Sequence, residues 1–95
     1  MAADMHQAAK HMIFSGRVQG IGFRFTVLNI ANRCHLTGLV RNLRDGTVEL
    51  IAQGNPEDIA DCIRDIKESF IGYISNAAIE DANFDPQHTT FKITF

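Results

Sequence analysis

The chain has 95 residues, 45% of them hydrophobic, with nine Lys or Arg against eleven Asp or Glu for a formal net charge of −2. That size holds one small domain around a single core, and the apolar share is that of a globular protein rather than a disordered one. The near-even charge excludes a general binder of nucleic acid or of anionic membranes, which would carry a basic face.

Residues 1–10 lack the apolar centre of a secretory signal. They form a loose leader ahead of a domain over residues 11–95. No apolar run reaches the length of a membrane span, so a cytoplasmic setting is expected. A short strand over 10–17 carries Met12, Ile13 and Phe14. Phe23, Val27, Ile30, Ala31 and Cys34 then follow at helical spacing, an amphipathic stripe that ends at His35-Leu36-Thr37-Gly38. Two strands over 39–43 and 47–53 meet across Asp45-Gly46, a strong hairpin signal, with Val48, Leu50 and Ala52 on one face. Asn55, Pro56, Glu57 and Asp58 supply a cap, a proline at the first helical position and acids in the first turn. Ile59, Cys62, Ile63, Ile66 and Phe70 make the stripe of that second helix. A weakly alternating strand falls within 73–84. Asp85-Pro86 turns the chain, and Phe91, Ile93 and Phe95 alternate as a last short strand. The order β-α-β-β-α-β plus a terminal strand predicts an α+β ferredoxin-like sandwich, with two helices on one face of a mostly antiparallel sheet.

Cys34 and Cys62 sit on apolar stripes and are expected to be reduced core thiols. His6, His11, His35 and His88 show no ligand spacing, so no metal is expected.

The chemistry concentrates between Gly16 and Arg24, in Gly-Arg-Val-Gln-Gly-Ile-Gly-Phe-Arg. A loop between a strand end and a helix start exposes N–H groups without intrahelical partners, and glycines let such groups curl around an anion. Arg24 falls in the first helical turn, where a cation opposes the helix dipole. A bound phosphate dianion explains it. The loop lacks the terminal Gly-Lys-Ser/Thr of a P-loop, and Phe25 stands where a dinucleotide fingerprint needs its third glycine. In the expected topology the first and second strands both flank the third, so the loop faces the hairpin and Asn42.

Three stretches, Gly16–Arg24, then Thr37-Gly38-Leu39-Val40-Arg41-Asn42, then Asp45-Gly46-Thr47-Val48-Glu49, resemble the acylphosphatase family. The resemblance is close over about 11–54, and the element order holds to Phe95. Leu39 stands where relatives are often aromatic, and residues 69–74 lack the Gly-Pro-rich connection that many members show. The resemblance implies hydrolysis of acyl phosphates to carboxylate and phosphate, without metal or cofactor. It also implies a phosphate site made by Gln19, Gly20, Ile21, Gly22, Phe23 and Arg24, with Asn42 positioning the attacking water. Thr47 is expected to support Asn42 through its hydroxyl, and Gln19 to brace the loop. Arg17 and Arg41 are candidates for added positive potential at the mouth.

Such a sparse site suits the reaction. The leaving group is a carboxylate whose acid has a pKa of about 4, so no general acid is needed. Phosphoryl transfer depends on positioning and on charge stabilisation at the equatorial oxygens. An asparagine amide cannot act as a base but can orient a water. A second reading is a phosphate- or carbamoyl-phosphate-sensing module of the same fold with little turnover. A hydrogenase-maturation protein carries a similar domain fused to larger ones; this chain, ending at Phe95, is expected to be a stand-alone monomeric enzyme. RNA recognition, echoed by Gly20-Ile21-Gly22-Phe23-Arg24-Phe25, fails because that signature belongs on the third strand, and residues 47–53 hold no aromatic.

Overall fold

The computed structural model describes residues 7–95. Its elements run β1 (Ala8–Gly16), α1 (Phe23–Arg33), β2 (Thr37–Asn42), β3 (Val48–Gly54), α2 (Pro56–Ser69), β4 (Ile74–Ala82) and β5 (Phe91–Ile93). They form one sheet in the order β4-β1-β3-β2-β5, antiparallel except for the β2–β5 pair. This is the expected ferredoxin-like sandwich. Of the leader expected over 1–10, residues 1–6 lie outside the described residues. Ala8, Ala9 and Lys10, by contrast, belong to β1, where they pair with Gly54, Gln53 and Ala52.

The core forms between the helices and one face of the sheet. Met12 and Phe14 of β1, Val40 of β2 and Val48, Leu50 and Ala52 of β3 are fully buried there. Phe23, Val27, Ile30 and Ala31 of α1 and Ile59, Cys62 and Ile66 of α2 close over them. Both helices begin as their sequences require. The Asn55 side chain accepts from the Glu57 N–H at 2.9 Å and Pro56 opens α2. Gly22 caps α1 in the left-handed region with no side-chain cap bond and no acid in the first turn.

The link from β4 to β5 must cross from one sheet edge to the other. It is pinned on the way by Gln53, which is 1% exposed. Gln53 Nε2 donates to the Asp85 carbonyl at 2.6 Å, and the Asp85 N–H donates back to Gln53 Oε1 at 3.1 Å. A buried amide with both ends satisfied holds a long connection at little cost. Cys34 and Cys62 are free. Burial above all pushes the Cys62 thiol up to about 12 and also raises that of Cys34, so neither is a ready thiolate.

Candidate active site

The register sets the site. Phe14 of β1 and Asn42 of β2 both pair with Val48 at the start of β3, so the glycine loop and the β2–β3 hairpin leave the sheet at the same end. The loop is fastened at both ends. Val18 is fully buried, and Phe23 packs edge-on to Phe14 with centroids 5.4 Å apart and against Phe70 at 4.6 Å. Between these anchors Gly20, Ile21 and Gly22 are exposed.

The Gln19 side chain ties this loop to the hairpin. Its Nε2 donates to the Leu43 carbonyl at 2.8 Å and to the Thr47 carbonyl at 2.9 Å. Gly20 and Gly22 both have φ of 79°, and a Cβ added at either meets no protein atom within 4 Å. Backbone handedness, not space among protein atoms, selects glycine at these two positions. Gly16 differs: a Cβ there would lie 2.3 Å from the Tyr73 carbonyl oxygen, because β4 crowds the β1 bulge. The Arg17 N–H donates to that same oxygen at 2.8 Å.

Among the described residues, no acceptor takes the N–H groups of Gly20, Ile21, Gly22 or Phe23, while Thr26 closes the first helical bond to the Gly22 carbonyl at 3.0 Å. Free N–H groups at a helix start, with its positive dipole end, attract an anion. Arg24 follows, half-buried, with its guanidinium carbon 5.1 Å from the Phe95 ring centroid. Opposite stands Asn42, whose Oδ1 is buried and has no hydrogen-bond partner among the described residues. An unpartnered buried carbonyl oxygen costs stability, and such an acceptor is suited to hold a water proton. A cleft of about 240 Å³ joins these groups, lined by Gly20, Gly22, Arg24 and Asn42 with Val18, Phe23, Phe25, Ile93 and Phe95.

Other sequence candidates go elsewhere. The Thr47 hydroxyl donates to Asp45 Oδ1 at 2.6 Å, and the Thr47 N–H donates to the same oxygen at 3.0 Å. Thr47 therefore shapes the turn rather than supporting Asn42 through its hydroxyl, because the Asp45 carboxylate is two residues away and holds it locally. These two bonds also keep the exposed Asp45 carboxyl below the usual range. Arg41 lies on the other face of the sheet, its Nε 2.5 Å from Glu49 Oε1. Arg17 sits over Tyr73, 5.0 Å from the ring centroid. Neither lines the cleft. Residues 69–74 support the loop's entry through Tyr73 but leave the cleft's lining to other segments. Sequence reasoning missed the apolar side, Phe25, Ile93 and Phe95, because two segments far apart in the chain, the start of α1 and the stretch after β5 begins, form it. Phe25 gave the one available signal, a large apolar residue off the α1 stripe.

The fold and the site define a small α+β sandwich with anion-seeking donors at one end of its sheet. Its relatives are specific. The acylphosphatase family model matches residues 10–93. An acylphosphatase of Bacillus velezensis is 38% identical over 88 residues, 90% of this chain and 96% of that one. An acylphosphatase of Methanospirillum hungatei is 51% identical over 65 residues, 68% of this chain and 63% of that relative, just under two thirds of its length. The solved acylphosphatase of Coxiella burnetii superposes with a TM-score of 0.87 at 30% identity, covering 97% of each chain. The chain belongs to the acylphosphatase family.

Proposed function

We propose that this protein hydrolyses the carboxyl–phosphate bond of acyl phosphates, with the phosphoryl group held by the glycine loop and Arg24 and the attacking water held by Asn42. Family membership supports the reaction class, and the observation that carries the residue roles is the convergence on one cleft of free loop N–H groups, Arg24 and the unpartnered Asn42 Oδ1.

The N–H groups of Gly20, Ile21, Gly22 and Phe23 receive the phosphoryl oxygens. The forked guanidinium of Arg24 takes two of them. As the bond to the carboxylate loosens, charge on the equatorial oxygens meets donors already in place, which need no reorganisation. Gln19 holds the loop at a fixed distance from Asn42 by bridging to Leu43 and Thr47. Asn42 Oδ1 accepts a hydrogen bond from the water and so aims the water's lone pair at phosphorus. The water's proton passes to the phosphate, and the carboxylate leaves unprotonated. The substrate is a small molecule, and the protein works as a monomer in the cytoplasm.

The test is release of phosphate from acetyl phosphate with a chelator present, in the wild type and in Arg24→Ala and Asn42→Ala. Turnover by the wild type and its loss in both variants supports the reading. No turnover by the wild type overturns it, and calorimetric phosphate binding without turnover moves the protein to the sensing module.

A further inference from the structure

The cleft has a second side that the phosphoryl chemistry leaves unused. Only two of its lining side chains are polar, Arg24 and Asn42, and both face the phosphoryl group in the proposed reaction. The rest of the wall is Val18, Phe23, Phe25, Ile93 and Phe95. Phe25 is 63% exposed and Phe95 96%, and Ile21 of the neighbouring loop is 39% exposed. Exposed large apolar groups gathered at the mouth of a site mark a surface that meets a ligand. The two arginines expected to add charge here are committed elsewhere, Arg41 to Glu49 on the far face of the sheet and Arg17 over Tyr73. A second anion on the acyl group would find no second cation in the lining.

We infer that Phe25, Ile93 and Phe95 form the acyl-group subsite and select substrates whose acyl chain is apolar and uncharged. This rests on the proposed hydrolysis. The phosphoryl group seated at Arg24 places the acyl carbon chain next to the Phe95 ring, which already covers the guanidinium. An aliphatic or aromatic chain displaces water from that ring and from Phe25, whereas a chain ending in a carboxylate loses hydration without gaining a partner. Phe25 is thereby a specificity-determining residue.

The experiment compares hexanoyl phosphate with adipoyl monophosphate, equal in length and in reacting bond but differing by a terminal carboxylate. Each rate is corrected for spontaneous hydrolysis. The wild type is expected to favour hexanoyl phosphate in kcat/KM by about tenfold, the scale of discrimination an apolar pocket reaches. Phe25→Ser narrows that ratio to about threefold or less, chiefly through KM, and Phe25→Lys turns it toward the adipoyl substrate. Equal rates for both substrates in the wild type overturn the inference and leave the proposed hydrolysis standing. So does an equal loss on both substrates in Phe25→Ser. Absence of turnover with every acyl phosphate, acetyl phosphate included, overturns both.

Discussion

Arg41 and Asn42 are neighbours in β2, and the pleat sends them to opposite faces of the sheet. Arg41 stands on the open face beside Glu49, whose second oxygen lies 2.7 Å from His11 Nε2. Arg41, Glu49 and His11 are partnered there, and the three side chains link β2, β3 and β1. Asn42 stands on the helix side with a buried oxygen that no group among the described residues satisfies. Folding alone rewards the first arrangement and penalises the second. Where a chain keeps a penalised polar group next to free N–H donors, the missing partner is expected to be the substrate and its water.

Activity and stability are expected to separate between these two residues. The largest expected effects are at the cleft. Arg24→Ala and Asn42→Ala each lower kcat/KM by on the order of 10²- to 10³-fold, as loss of one preorganised donor or positioning group does. Asn42→Ala keeps the wild-type melting temperature or raises it slightly, because it removes an unpaired buried acceptor rather than a bond. Steady-state kinetics beside thermal unfolding checks both. A variant that lost stability and activity together would make Asn42 a structural residue.

Gln19 stands between the two cases, since its Nε2 is paired twice and its bridge also holds the glycine loop to the hairpin. Gln19→Leu removes one of two donors from each of the Leu43 and Thr47 carbonyls, which keep the Gly46 and Leu43 N–H groups, and the two lost bonds cost about 1–3 kcal/mol of stability. The loop then moves relative to Asn42, and kcat falls by about tenfold or more, misplacement being as damaging as loss. Gly22→Ala is smaller. Its Cβ meets no protein atom, but φ of 79° is left-handed, and an L side chain there costs about 1–2 kcal/mol. Denaturant unfolding separates this strain from a kinetic effect.

How much of this was legible in the sequence follows from where each signal resides. Local devices could be read directly: the Asn55 cap and Pro56, the Asp45-Gly46 turn, and the stripes of both helices. The meeting of the loop with Asn42 followed from topology. The strand expected from Lys10 starts earlier, because Ala8 and Ala9 have little strand propensity of their own. Their extension comes from pairing, with β3 beside both residues and β4 beside Ala9, a tertiary override of local preference. β4 alternates poorly because it is an edge strand whose residues are mostly exposed on both faces. The bridges of Gln19 and Gln53 span 24 to 32 positions, and no period in a sequence encodes an amide's distant partner. Thr47 differs from its expected role for the opposite reason, since its hydroxyl bonds the local Asp45 carboxylate.

The smallest prediction concerns the open face. Burial pushes the Glu49 carboxyl up, but hydrogen bonds from His11 and Arg41 and the charges of both outweigh it and leave Glu49 below its ordinary range. A carboxyl lowered in the folded state contributes stability that is full above its unfolded value and is lost as pH falls through the folded one. Arg41 is 47% exposed, so solvent screens the pair, and its net worth is about 0.5 kcal/mol. Arg41→Ala is expected to lower the melting temperature by about 3 °C at neutral pH for a domain of this size. The deficit is full above the ordinary glutamate value and shrinks toward zero as the pH falls through the lowered value, where Glu49 becomes protonated even beside Arg41. Acetyl phosphate turnover at neutral pH stays within about twofold, because Arg41 lies on the opposite face of the sheet and its exposed charge is screened by solvent and salt. A pH-independent deficit would mean that Arg41 contributes through the packing of its aliphatic stem. A large loss of turnover would mean that the two faces of β2 are not independent.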